Sequence, residues 1–234
     1  MRIQHFFGKI KVENNAADIG FMLTNKNGSY AFFRDAPKSR YEGLFLFNDF
    51  KMYRFIEDIN IPKFNKIKKI KNNFYCIERE RSNGNEILNE RFFMPKNFNS
   101  LIYELDKKAE IELFLDCKDT YDNNEFGRHY DISVENGCIM IKFTKRTSLK
   151  EDNSEGMEQY TLYLAIKTDN LKFKKIQNWA ERHYDFDKKR NSGPFSRYVF
   201  HAINLEAKEF VFSMSRNKNA SIKQANYIFN NLKK

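Results

Sequence analysis

Apolar and polar residues alternate with a period of two along most of this chain, the spacing that puts one face of a strand inward and the other outward. The clearest case is 109–117, where Ile111, Leu113 and Leu115 alternate with Glu110, Glu112 and Asp116. Tyr160, Leu162, Leu164 and Ile166 repeat the pattern. Turn signals separate the runs. Phe21, Met22 and Leu23 lead through Thr24-Asn25 to a turn at Lys26-Asn27-Gly28 and a second aromatic strand over 30–33; Asn-Gly favours tight hairpin turns because both central residues take positive φ. The run 44–56 predicts a hairpin about Asn48-Asp49. Further hairpins are expected over 74–81 and 87–94, over 100–105 and 109–117 through Asp106-Lys107-Lys108, and over 132–134 and 138–144 on Asn136-Gly137. Residues 2–12 read as one or two short strands broken at Gly8, and 147–156 as a polar loop.

The period changes after Lys172. Residues 176–189 read as a short helix, 196–204 and 209–214 as a closing pair of strands, and 219–234 as a C-terminal helix capped by Asn219 or Ser221. Ile222, Ala225, Ile228 and Phe229 share a face of that helix, and an exposed apolar strip is expected there; the alternative is that the helix folds back onto the sandwich and buries it. The fold expected is mainly β: a large antiparallel two-sheet β-sandwich over 1–218, with a short helical segment, followed by the C-terminal or linker helix at 219–234.

Composition agrees with sheet. The 234 residues include 24 Phe and 12 Tyr, types that suit a pleated, half-buried surface. No apolar run approaches the roughly 18 residues of a membrane span, and the N-terminus lacks a signal h-region, so a soluble cytoplasmic protein with no membrane partner is expected. Cys76, Cys117 and Cys138 form no CxxC pair and read as reduced structural thiols. The net charge of +10, from 41 Lys and Arg against 31 Asp and Glu, permits an anionic partner. The densest basic run, 63–73, reads either as a phosphate-tracking patch, with Phe64 and Phe74 as stacking platforms for a nucleic acid, or as an exposed strand with Ile67 and Ile70 inward and lysines blunting an edge. The second reading is preferred, and nucleic acid is not the partner expected.

Candidate chemistry is sparse. No phosphate loop, dinucleotide fingerprint or nucleophile elbow occurs, and the four histidines lie far apart. Asp116, Asp119, Asp122 and Glu125 with His129 lack the spacing of a calcium loop, so no metal or other cofactor is expected. Arg40 and Tyr41 offer a donor fork and an aromatic face suited to a polyhydroxylated ligand; the alternative is that Tyr41 covers a sheet edge while Arg40 pairs with an acid. Trp179, the only tryptophan, is either a sugar-stacking platform or a core anchor. Arg128-His129-Tyr130 is a further polar-ligand candidate, unless Arg128 pairs with one of the preceding acids.

Thr24-Asn25, Gly28-Ser29-Tyr30-Ala31 and Arg40-Tyr41-x-Gly43-Leu44 resemble the opening signature of the N-terminal domain of prokaryotic glycogen debranching enzymes, the amylo-α-1,6-glucosidase family. In that family a Thr-Asn-Gly-x-Gly-Gly-Tyr-like run precedes an Arg-Tyr-His-Gly-Leu-like run; here Ser29 replaces a glycine and Glu42 a histidine. Arg128-His129 resembles a later Arg-x-His-like motif, and Trp179, Tyr184, Asp187 and Arg190 a still later stretch. The resemblance implies a non-catalytic α-glucan-binding or scaffold domain, with Asn25, Tyr30, Arg40, Tyr41, Arg128, His129 and Trp179 as substrate-binding residues. Glycoside hydrolysis needs two positioned carboxylates, and no motif in the chain singles out a pair. The family's catalytic carboxylates lie in a following helical (α/α) toroid, so the expected partner is a separate or deleted catalytic domain of that kind, and no catalytic residue is assigned here.

Overall fold

The computed structural model describes residues 2–6, 9–14, 19–146 and 158–231. Fifteen strands form one antiparallel hydrogen-bonded network: β1 (Arg2–Phe6), β2 (Lys9–Asn14), β3 (Phe21–Thr24), β4 (Tyr30–Phe33), β5 (Gly43–Asn48), β6 (Lys51–Asn60), β7 (Lys66–Asn72), β8 (Cys76–Ser82), β9 (Ile87–Phe93), β10 (Ser100–Asp119), β11 (Arg128–Glu135), β12 (Cys138–Arg146), β13 (Glu158–Thr168), β14 (Phe173–His183) and β15 (Ser196–Ser215). Among the described residues two helices accompany the strands, α1 (Asp185–Lys189) and α2 (Lys218–Asn231).

Two 20-residue strands, β10 and β15, form the spine. They pair with each other along nearly their whole length but change outer neighbours midway. Ile102 to Leu105 of β10 pair with β9, whereas Glu112 to Asp119 pair with β6. Likewise Phe210 to Ser215 of β15 pair with β13, and Ser196 to Leu205 with β14. Each long strand therefore leaves one sheet and enters a second. The first sheet runs β1-β2-β7-β8-β9-β10-β15-β13-β12-β11; the second runs β3-β4-β5-β6-β10-β15-β14.

A single apolar core fills the space between them. Phe21 of the second sheet meets Phe92 of the first with ring centres 4.7 Å apart, and Tyr130 stacks on Phe200 at 4.3 Å. Charge also enters this core. Arg79 and Arg81 share Glu90, whose Oε1 also accepts from the Tyr103 hydroxyl at 2.6 Å. Burial pushes the Glu90 carboxyl up, but Arg79 and Arg81 outweigh it and hold it at about 2. Cys76, Cys117 and Cys138 are all buried and free.

Turn chemistry behaves locally as the residues dictate. Asp49 and Phe50 both take positive φ at the β5–β6 turn, as do Asn136 and Gly137 between β11 and β12. Gly43 has φ +125°, and a Cβ there would lie 2.2 Å from the Ile56 carbonyl oxygen, so only glycine lets β5 approach β6.

Four expectations need correction. Residues 106–108 are not a hairpin turn but the bend of β10, where the register with β15 shifts between Glu104 and Ala109. Residues 196–204 and 209–214 are likewise one strand, β15, and not a closing pair. Most of the helix expected over 176–189 is strand: β14 pairs with β15 through His183, and only the five residues of α1 are helical. Ladder pairing overrides a weak helical pattern there. Finally, the apolar strip of α2 is covered. Ile222, Ala225 and Ile228 pack on Ile102, Cys138, Met140, Ala165 and Val211, whose neighbours Leu101, Tyr103, Ile139, Ile141, Leu164, Ile166, Phe210 and Phe212 point into the sandwich core. The alternation of β10, β12, β13 and β15 thus supplies two apolar faces, one for each layer. The polar loop read over 147–156 lies outside the described residues, as do Gly8 and residues 232–234.

Candidate functional site

The loop 120–127, between β10 and β11, is held by buried cations on the strands around it. Lys145 of β12 donates to the carbonyls of Asn124 and Phe126, both at 2.7 Å, and pairs with Asp122 at 3.1 Å. Lys118 of β10 donates to Glu125 at 2.7 Å. Arg197 of β15 reaches Asn123 Oδ1 at 2.8 Å and the Thr120 carbonyl at 3.4 Å. The loop adds its own turns, with Asp119, Asp122 and Asn124 carboxylate or amide oxygens accepting from the backbone N–H two residues on. Gly127 ends it at φ +69°, where a Cβ would stand 2.1 Å from the Arg146 carbonyl oxygen. Buried lysines are retained only where they are paired, and here both bind the same loop.

Beneath the loop lies Asp116, fully buried and in contact with Arg54, Arg128 and Arg197 at 3.2–3.4 Å. Burial pushes its carboxyl up, yet Lys118, Arg54, Arg197 and Arg128 together hold it below the usual carboxylate range. Asp116 does alternate away from the core, as its period predicts, but this outer face is not solvated. Tyr184 and β14 help to enclose it: the Tyr184 hydroxyl accepts from Arg54 at 3.0 Å, and Arg182 pairs with Glu57 and Asp58. Burial pushes Glu57 up to about 7.

Arg128 joins this hub to the surface. Its guanidinium donates to Asp116, to Glu125 and, at 2.7 Å, to the Tyr198 carbonyl, and its plane lies 4.3 Å from the Trp179 ring centre. The other ring neighbours of Trp179 meet it edge-on: Phe200 at 5.2 Å and Tyr130 at 5.9 Å. Arg128 thus props one side of the indole, leaving 44% of the residue exposed. Around it opens a groove of about 500 Å³ lined by Glu125, Phe126, Gly127, Arg128, His129, Trp179 and Tyr198. Phe126 is 74% exposed and Tyr198 51%. Arg128 itself is taken up by Asp116 and Glu125, the preceding acids, and its side chain is nearly fully buried. Three large aromatic side chains left in water beside the Glu125 carboxylate and the His129 imidazole make a surface for a ligand with both apolar faces and hydroxyl groups.

The structure brings Arg128, His129 and Trp179 into this groove and places the other four elsewhere. Tyr41 lies at the far end of the 120–127 loop, its ring 6.4 Å from that of the exposed Tyr121. Tyr30 stacks on Phe45 at 4.5 Å, and burial raises its phenol, with Tyr121 and Tyr41 among its neighbours. Arg40 is buried; it donates to the Gly193 carbonyl, to Ser192 and to the Tyr41 hydroxyl, while its backbone N–H goes to Asp187. Its guanidinium therefore serves a loop carbonyl and hydroxyls and not the acid expected of it. Asn25 stands at the β3–β4 turn, where Oδ1 accepts from the N–H groups of Asn27 and Ser29 and Nδ2 donates to Phe98. Glu42 accepts from Arg34 and from the Lys38 backbone.

Phe126, Tyr198 and Tyr121 escaped the sequence reading. Phe126 had a signal: a lone aromatic between the polar run Asp122-Asn123-Asn124-Glu125 and Gly127 has no strand to bury it. The basic run 63–73 is β7 and its flank; Lys63 pairs with Glu86 and Lys71 with Glu78, and Phe64 is buried. Ile70 is buried and Ile67 packs against the core, as expected. β2 pairs only with residues 70–72, so over 66–69 the strand has β8 as its one ladder partner among the described residues and is the lysine-lined edge expected of it.

The chain matches no protein-family model. It also matches no curated protein. Among the described residues no helix is long and apolar enough to cross a membrane.

Proposed function

We propose that this protein is a non-catalytic α-glucan-binding module, acting beside a helical-toroid α-1,6-glucosidase domain as the resemblance to debranching enzymes implies. The observation that carries the reading is the groove at Trp179: exposed aromatic surface on Trp179, Tyr198 and Phe126, with Glu125 and His129 at its side. Sugar rings present C–H faces to aromatics and hydroxyl edges to charged groups, and this groove offers both. The buried hub fixes the groove before a ligand arrives, which reduces the ordering cost of binding. In the basic run 63–73, Glu78 of β8 pairs with Lys71 and Glu86 with Lys63, and this favours the sugar reading over a nucleic-acid one.

Because Trp179 is the only tryptophan, its fluorescence reports the groove directly. Titration with maltoheptaose is expected to give a saturable spectral change, and Trp179→Ala to abolish retention in a glycogen-containing native gel. A flat titration together with unretarded wild-type mobility would overturn the proposal.

A further inference from the structure

The 120–127 loop carries an exposed aromatic at each end. Phe126 faces the Trp179 groove, and Tyr121, 69% exposed, stands beside Tyr41. Four residues lie between them, so their Cα atoms, five steps apart at about 3.3–3.6 Å per residue, are separated by at most about 18 Å. The cations that grip this loop hold its backbone and polar side chains, and neither aromatic ring is used in that grip. Tyr41 in turn is steadied by Arg40, whose Nη2 donates to its hydroxyl at 3.0 Å and whose guanidinium lies 5.0 Å from its ring centre.

A rigid loop with an unburied aromatic at both ends is a costly way to build a connection. Exposed aromatics gain nothing from folding, and buried lysines need all their partners. We infer that Tyr41 and Tyr121 form a second aromatic subsite, joined to the Trp179 groove through the fixed 120–127 loop, so that the ligand is an extended chain engaged at two points. The inference rests on the α-glucan reading and deepens it: the substrate class is the linear chain of several glucose residues, and a mono- or disaccharide reaches one subsite only. Two linked contacts on a rigid frame raise affinity for a ligand long enough to span them and leave a short one unaffected.

The test compares maltotriose and maltodecaose by Trp179 fluorescence on the full chain, for wild type, Tyr121→Ala and Phe126→Ala, with circular dichroism to verify folding. Tyr121 is exposed and its ring supports no loop hydrogen bond, so its removal should leave the fold intact. The wild type should bind the long chain about tenfold tighter than the short one, a difference of about 1.4 kcal/mol. Tyr121→Ala should erase that preference and leave maltotriose binding within about twofold, whereas Phe126→Ala should weaken both ligands. Equal affinities in the wild type, or a preference that survives Tyr121→Ala, would overturn the second subsite while leaving glucan binding standing. Absence of binding by either sugar would remove the glucan reading and this inference with it.

Discussion

Glu57 and Asp116 are both fully buried carboxylates near Arg54, yet they sit on opposite sides of their ordinary range. Asp116 faces four cations and stays low. Glu57 is dominated by burial, which carries it to about 7; Arg54 and Arg182 pull it down, and Asp58 adds to the rise. A carboxyl raised on folding holds its proton longer in the native state than in the unfolded chain, where it titrates near about 4.3. The native state then binds more protons between about 4.3 and 7, so Glu57 makes stability fall as pH rises through that window. Urea unfolding at pH 4.5 and 7.5 is expected to show a shallower decline for Glu57→Gln than for the wild type; parallel declines would refute this assignment. Asp116→Asn should behave differently. It strands Arg54, Arg128 and Arg197 without their shared anion, at a cost of about 3–5 kcal/mol at neutral pH, visible as a large drop in urea midpoint.

Among elements, α2 is a packed part of the fold. Ile228 is fully buried in the satellite cluster, and Tyr227 stacks on Phe98 at 5.5 Å. Ile228→Ala is expected to cost about 2–5 kcal/mol, lowering Tm by several degrees, and a Tm within one degree of wild type would show the helix to be undocked. Period and turn residues made most strands readable before any coordinates: the β11–β12 turn is at Asn136-Gly137 and the β5–β6 turn at Asp49-Phe50, next to where it was placed. The charged core was not among the expectations, although the pattern carries it. Leu88, Glu90 and Phe92 alternate, as do Ile77, Arg79 and Arg81, and strict alternation puts Glu90 and both arginines inside. The bends of β10 and β15 were not readable, because Asp106-Lys107-Lys108 has the same polar composition whether a strand turns back or merely changes sheet. For the candidate site, Trp179, Arg128 and His129 were singled out in the sequence by side-chain chemistry, and the structure brings them to one groove. Their aromatic companions depend on what a loop fails to cover, and that is set by residues distant in sequence.

The whole molecule inherits a shared spine. Since β10 and β15 belong to both sheets and one core lies between them, neither layer has a complete hydrophobic face without the other. Far-UV circular dichroism and Trp179 fluorescence should therefore give coincident two-state transitions in urea; separated midpoints would show two independently folding layers. The net charge of +10 should bring only weak association with single-stranded RNA, lost by about 0.15 M salt through counterion competition; tight binding at that salt would displace the glucan proposal. No hydrolysis of pullulan by this chain alone is expected, and turnover above a denatured control would contradict the non-catalytic assignment. The three buried thiols add a clock to each of these tests. Cys138 lies under α2, Cys117 between the core and the Asp116 hub, and Cys76 in the first sheet. Burial raises the Cys117 and Cys138 thiols, so a thiol reagent must wait for a local opening at either. Labelling followed by mass spectrometry would then time two separate doors: helix release admits reagent to Cys138 alone, whereas Cys117 yields only when the sandwich itself comes apart.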